Sequence, residues 1–189
     1  MINVLAIGDS LTNFGFQENG WATLINRSSP HIIFQNFGQN NITSSKMVSD
    51  LPSLINVDQI KNAQVATLLL GTNDTLHYYD KPISLPQFSR NMYAIIYYLK
   101  SINPFLRIII IGPPISPHSI NEYITEEKSV MYAFNRAVLT LAKQLDIAFV
   151  DLMDNTDGNK ILVEDLYDGI HMNYSGHLKM ASKIGKHLY

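Results

Sequence analysis

The chain has 189 residues, 46% hydrophobic and 16% charged, with a formal net charge of −2. That length suits one domain over 1–189 with a substantial core and no large lid, and the charge gives no electrostatic case for nucleic acid or an anionic membrane as partner. It contains no cysteine, which excludes disulfides, thiol catalysis and thiolate-bound zinc. The N-terminus carries neither a basic region nor a cleavable apolar segment, and no apolar run approaches membrane-spanning length. A soluble cytoplasmic protein is therefore expected. The Asn-x-Ser/Thr sequons at Asn26, Asn41, Asn73 and Asn173 read as chance matches in that setting.

In chain order, Met1 to Ile7 reads as a buried strand and is followed at once by Gly8-Asp9-Ser10-Leu11-Thr12. A helical pattern spans about 19–27. A second strand lies within His31 to Phe37, and a second weak helix at 44–54. Val65 to Leu70 is a third strand ended by Gly71. Phe88, Met92, Ile95, Ile96 and Leu99 recur at helical steps until Asn103-Pro104 stops them. Arg107 to Ile111, with consecutive isoleucines from 108, is the fourth strand. Val130, Phe134, Ala137, Val138, Leu141 and Leu145 form another helical stripe, Ile147 to Val150 a fifth strand, and Leu178, Ala181, Ile184 and Leu188 a final stripe.

The strands are near-continuous apolar runs, the signature of strands covered on both faces. Their regular alternation with helices predicts an α/β three-layer sandwich around a five-stranded parallel sheet, flavodoxin-like, with right-handed crossovers. Sites in such folds collect at the carboxyl ends of the strands, beside the switch in strand order. Ser10 follows the first strand, Gly38 the second and Asn73 the third, while Asp168 and His171 precede the last helix.

A serine hydroxyl is a weak nucleophile until a base takes its proton, and His171 is the candidate base. Asp168, three residues earlier, would hold the ring in the useful tautomer and stabilise the imidazolium. Each residue also has a plainer reading. Ser10 alone suits a helix N-cap, Gly38, Gly71 and Asn73 suit turns, and Asp168 with His171 suits a surface pair ahead of a helix capped by Asn173 or Ser175. Asp9 and Asp74 read as loop-ordering acids. The other histidines (His31, His77, His118, His177 and His187) lack a partner at triad or metal spacing and read as surface or packing residues, the last two on the final helix. Trp21 reads as core or pocket wall.

The chain resembles the SGNH, or GDSL-type, hydrolase superfamily. Gly8-Asp9-Ser10-Leu11-Thr12, Asn36-Phe37-Gly38, Gly71-Thr72-Asn73-Asp74 and Asp168-Gly169-Ile170-His171 resemble its four blocks, in order. Ser10 to Trp21 and the Leu85 to Pro114 region are similar to isoamyl acetate-hydrolysing esterases. The resemblance implies a serine esterase acting on small carboxylic esters with short acyl groups such as acetyl, through an acyl-enzyme. It implies Ser10, His171 and Asp168 as the triad, and the backbone N–H groups of Ser10 and Gly38 with the Asn73 amide as the oxyanion hole. No cofactor or metal is expected. Asn41 departs from the pattern, standing where many relatives have a second glycine; asparagine tolerates the left-handed backbone such a turn uses. Two other readings remain: a metal-dependent phosphoesterase built on Asp9, Asp74, Asp168 and His171, and a non-catalytic flavodoxin-like binding domain. The loops 13–19, 75–82 and 114–121 are the candidate pocket walls.

Overall fold

A computed structural model describes residues 1–75, 83–117 and 129–189. Five parallel strands, β1 (Ile2–Gly8), β2 (Ile32–Gly38), β3 (Val65–Leu69), β4 (Arg107–Ile111) and β5 (Ala148–Val150), form one sheet in the order β2-β1-β3-β4-β5. Each runs as expected to within about two residues. The helices are α1 (Ser10–Asn13), α2 (Trp21–Ser28), α3 (Ser44–Leu54), α4 (Val57–Asn62), α5 (Thr72–Thr75), α6 (Leu85–Ile102), α7 (Val130–Leu145) and α8 (Tyr174–Gly185).

Alternate strand residues feed two separate cores, because successive side chains leave opposite faces of a sheet. Leu5, Ile7, Ala66, Leu68, Ile108 and Ile110 pack with the buried faces of α3, α4, α6 and α7. Val4, Ala6, Val65, Leu69, Ile109 and Ile111 pack with α2 and α8. The fold is thus a three-layer α/β sandwich. Trp21 is wholly core: its ring is buried and its Nε1–H donates to the Leu11 carbonyl at 3.1 Å.

Two stripes differ from expectation. On α8 the buried residues are Gly176, His177, Met180, Lys183 and Ile184, while Leu178 is 44% exposed. Ala181, Ile184 and Leu188 pack inward as expected, but the core-facing positions also include a glycine, a histidine and a lysine that hydropathy leaves out. Lys183 is accommodated because its Nζ donates to the Asp154 carbonyl at 2.9 Å and to Asp157 Oδ1 at 3.0 Å. On α7 the stripe begins at Met131, and Val130 is exposed. His187 lies past the end of α8. His177 is buried with Nδ1 unpartnered among the described residues, and burial pushes its imidazole down to about 4, so it packs as a neutral ring.

The edge that matters is where β1, β2 and β3 end together, with Gly8 paired to Gly38 on one side and to Leu69 on the other. Gly8 is crowded there: a Cβ would fall well inside contact with Thr12 Oγ1 and the Leu69 carbonyl oxygen. Gly8→Ala is therefore expected to lower stability by ~2 kcal/mol, read as a lower urea midpoint. An unchanged midpoint would mean that this corner relaxes freely.

Candidate active site

Three chain segments meet at that edge. Ser10 opens α1 directly after β1 and is buried. Its N–H, at the first position of a helix, has no acceptor within the helix. His171 reaches it from the far end of the chain, with Nε2 2.9 Å from Ser10 Oγ. His171 Nδ1 lies 2.6 Å from Asp168 Oδ2, and Asp168 Oδ1 accepts the backbone N–H groups of Ile170 at 3.0 Å and His171 at 2.7 Å. Partial burial raises the Asp168 carboxyl, but these bonds, led by the one from His171, outweigh it and hold it below the usual carboxylate range.

The loop bearing Asp168 and His171 is a closed turn. Leu166 and Met172 form an antiparallel bridge, Tyr167 N–H donates to the His171 carbonyl at 3.0 Å, and Gly169 turns the chain at φ 83°. Ser116 Oγ donates to the Gly169 carbonyl at 2.8 Å, tying the turn to the segment after β4. Two rings lie on His171: Phe14, with centroids 4.7 Å apart, and Tyr167, stacked at 5.8 Å.

The third block is bolted down beneath the site. Asp74 accepts from Ser44 N–H at 3.0 Å and from Ser44 Oγ at 2.5 Å, and Asn91 Nδ2 donates to Ser44 Oγ at 2.9 Å and to Ser45 Oγ at 2.8 Å. Asn73, buried beside them, donates one amide hydrogen of Nδ2 to the Ile42 carbonyl at 2.9 Å. Its second N–H is left for another acceptor. Asn41 holds the left-handed backbone, at φ 60°, in the turn just before Ile42.

Gly38 sits at the end of β2 against the backbone of Asn13, where no side chain fits. Its N–H donates to Asn36 Oδ1 at 2.9 Å, and the Asn36 amide is held in turn by Asn13 Oδ1 at 2.9 Å. To serve an oxyanion, Gly38 must exchange Asn36 for the substrate oxygen.

The four residues of the phosphoesterase reading do not form a metal site. Asp9 caps α1, Asp74 is bound to Ser44 and Asp168 to His171. Among the described residues no three His, Asp or Glu side chains converge to hold a metal ion. His77, His118 and most of the loops 75–82 and 114–121 lie outside the described residues.

Sequence reading missed Tyr167, Ser44 and Asn91, and it had Asn36 only as part of the second block and Phe14 and Ser116 only within candidate wall loops. Only Asn91 left a signal, as an amide interrupting the apolar stripe of α6 between Phe88 and Met92.

The chain is similar to known proteins in both sequence and fold. The model of a family described as GDSL-like Lipase/Acylhydrolase matches residues 6–179. The human protein named isoamyl acetate-hydrolyzing esterase 1 homolog is 28% identical over 96% of this chain and 79% of its own length. The Saccharomyces cerevisiae isoamyl acetate-hydrolyzing esterase is 26% identical over 92% of this chain and 80% of its own. In fold, the chain is similar to a crystal structure of an acetylxylan esterase from Geobacillus stearothermophilus, with TM-score 0.77, 19% identity, and coverage of 99% of this chain and 94% of that one.

Under Ser10 lies an unusual acid. Asp9 is fully buried; its Oδ1 accepts Leu11 N–H at 2.9 Å, while Oδ2 lacks a partner among the described residues. The Thr72 hydroxyl lies outside good hydrogen-bond geometry and steadies the charge only weakly. Burial pushes the carboxyl up from 3.8 to about 7, against the Leu11 N–H, and the neighbouring Asp74 charge adds to the rise. Between these values the unfolded chain is ionised and the folded one keeps its proton. Stability contributed by neutral Asp9 is thus complete below pH 3.8 and is lost as pH rises to about 7. Asp74, also raised by burial, acts in the same direction. Asp9→Asn keeps the cap oxygen and should narrow the stability gap between about pH 5 and pH 8, measured by urea unfolding at both. An unaltered gap would mean that Asp9 is already ionised in the folded protein.

Proposed function

The chain belongs to the GDSL-like lipase/acylhydrolase family, and from that membership and the site geometry we propose a serine esterase that cleaves small carboxylic esters with short acyl groups such as acetyl. The observation that carries this reading is the unbroken hydrogen-bonded line from Asp168 through His171 to Ser10 Oγ. A nucleophile, a base and an orienting acid stand there in register at the open edge of the sheet.

In this reading Ser10 Oγ attacks the ester carbonyl as its proton passes to His171 Nε2. The Asp168 carboxylate, kept charged by its bonds, steadies the imidazolium. The oxyanion is met by Ser10 N–H and the second N–H of Asn73, with Gly38 joining if Asn36 yields it. His171 then protonates the departing alkoxide, leaving acyl-Ser10. In the second half His171 takes a proton from water, the hydroxide attacks the acyl carbon, and the proton returns to Ser10 as the acid leaves. The short-acyl preference is supported by the isoamyl acetate esterases among the relatives.

An acyl-chain series of p-nitrophenyl esters, run beside acetylated sugars, tests the reading. Turnover should be highest at acetyl, fall as the chain lengthens and be unaffected by EDTA. Ser10→Ala and His171→Ala should each remove nearly all of it, and Asp168→Ala somewhat less. Loss of activity on chelation, or a Ser10→Ala enzyme that still turns over, would move the chemistry elsewhere.

A finer test concerns Asn73. Its amide meets a charge that develops only in the transition state, so Asn73→Ala should lower kcat by about a hundredfold with little change in KM. If Asn73 were only a turn residue, the variant would melt earlier and keep its kcat. Measuring kcat and Tm on the same preparation separates the two.

A further inference from the structure

We propose that Phe14 and Tyr167 are positioning residues that favour the charged form of His171 through their ring faces, so that their contacts strengthen as the imidazolium forms. The inference rests on the serine-esterase reading and concerns two residues that lie outside the triad and the oxyanion hole.

The argument begins with where each ring comes from. Phe14 follows α1 directly, four residues after Ser10, and is partly buried. Its ring centroid lies 4.7 Å from that of His171, with the planes inclined at 45°. Tyr167 precedes Asp168 and is joined to His171 across the turn by its N–H, so the two side chains are cross-strand neighbours. Their rings stack at 5.8 Å and 22°. One ring therefore travels with the nucleophile and the other with the acid, and both fall on the base.

Asp168 occupies the Nδ1 edge of the imidazole and Ser10 the Nε2 edge. The ring face is the remaining route for stabilising a positive charge, and aromatic carbon there displaces water that would otherwise solvate it. Bare desolvation would disfavour the cation. An aromatic face carries negative potential and reverses part of that penalty, and it attracts a cation more than a neutral ring. His171 is neutral before attack and charged in the tetrahedral intermediate, so the contact gains strength in the transition state and acts on kcat. Tyr167 is 63% exposed, and the Tyr167 phenol is held above its usual value by partial burial and by the Asp168 charge, so it stays protonated.

The test replaces Phe14 with mono-, di- and trifluorophenylalanine, which drains the ring face while keeping its size, and compares Tyr167→Phe with Tyr167→Leu. Expected is a stepwise fall in kcat with each fluorine, reaching about two- to fivefold, with KM and Tm unchanged. Tyr167→Phe should keep wild-type kcat and Tyr167→Leu should lose a similar factor. A flat fluorine series overturns the proposal whatever Tyr167→Leu does, because packing alone would then account for the rings. Ser10→Ala is run alongside. If it stays active, the serine-esterase reading fails; if it is dead while the fluorine series is flat, only the role of the two rings fails.

Discussion

The site depends on the parallel pairing of β1 with β3. The ladder runs one residue beyond the strands, with Asp9 N–H donating to the Leu69 carbonyl at 3.2 Å. That bond holds the start of α1 against the chain entering α5, which places Ser10 beside the Thr72-Asn73-Asp74 segment. On the other flank Gly8 is paired with Gly38, and Gln39 N–H donates to the Gly8 carbonyl at 2.9 Å. The chain passes from β1 to β2 on one side and then to β3 on the other, so the loops diverge above β1 to leave a crevice. Gly8 lacks a side chain because Thr12 and the Leu69 carbonyl have already taken the space one would need.

Such an edge exposes chain ends whose polar groups must find partners, and here they find them in the interior. Asp74, Ser44 and Asn91 form a buried set linking α5, α3 and α6. Each member satisfies another, so the set rigidifies the ground under Asn73. Asp9 is the exception. Its first oxygen caps α1, while its second is buried with no partner among the described residues, and the carboxyl responds by holding its proton. The segment carrying Ser10 therefore rests on a group whose charge is disfavoured by its surroundings. Strain of this kind is common where function, rather than stability, sets the residue.

The opposing half of the site is built separately. Asp165, buried at the root of the turn bearing Asp168 and His171, accepts from Leu162 N–H at 2.8 Å, Ser175 Oγ at 2.8 Å and Lys179 Nζ at 2.6 Å. Burial raises its carboxyl, but the Lys179 bond leads those that hold it low, so it remains an anion. Its carbonyl accepts Asn173 N–H at 2.8 Å, and Asn173 caps α8. The turn bearing Asp168 and His171 is thus fixed at its base to α8 and at its tip, through Ser116, to the end of β4. An imidazole aimed at a hydroxyl 161 residues away in sequence needs both anchors.

By itself the sequence determined the layers and the order of the elements, because hydrophobic periodicity is a local property and the strands here are almost wholly apolar. It also marked Ser10 and Asn73, since polar groups placed just after buried strands stand out against them, and Asp168 with His171, as an acid and an imidazole three residues apart. On α8 it placed Leu178 inward and left out His177 and Lys183, which face the core through contacts that hydropathy does not register. What only the tertiary structure decided is which polar groups meet. Gly38 and Asn36 bond within two residues, yet nothing in their types says that this N–H is engaged. Phe14 and Tyr167 look like ordinary loop aromatics until folding brings both onto one imidazole. The reason is physical: periodicity is written along the chain, whereas a hydrogen bond or a ring contact depends on distances that exist only once remote segments share a sheet edge.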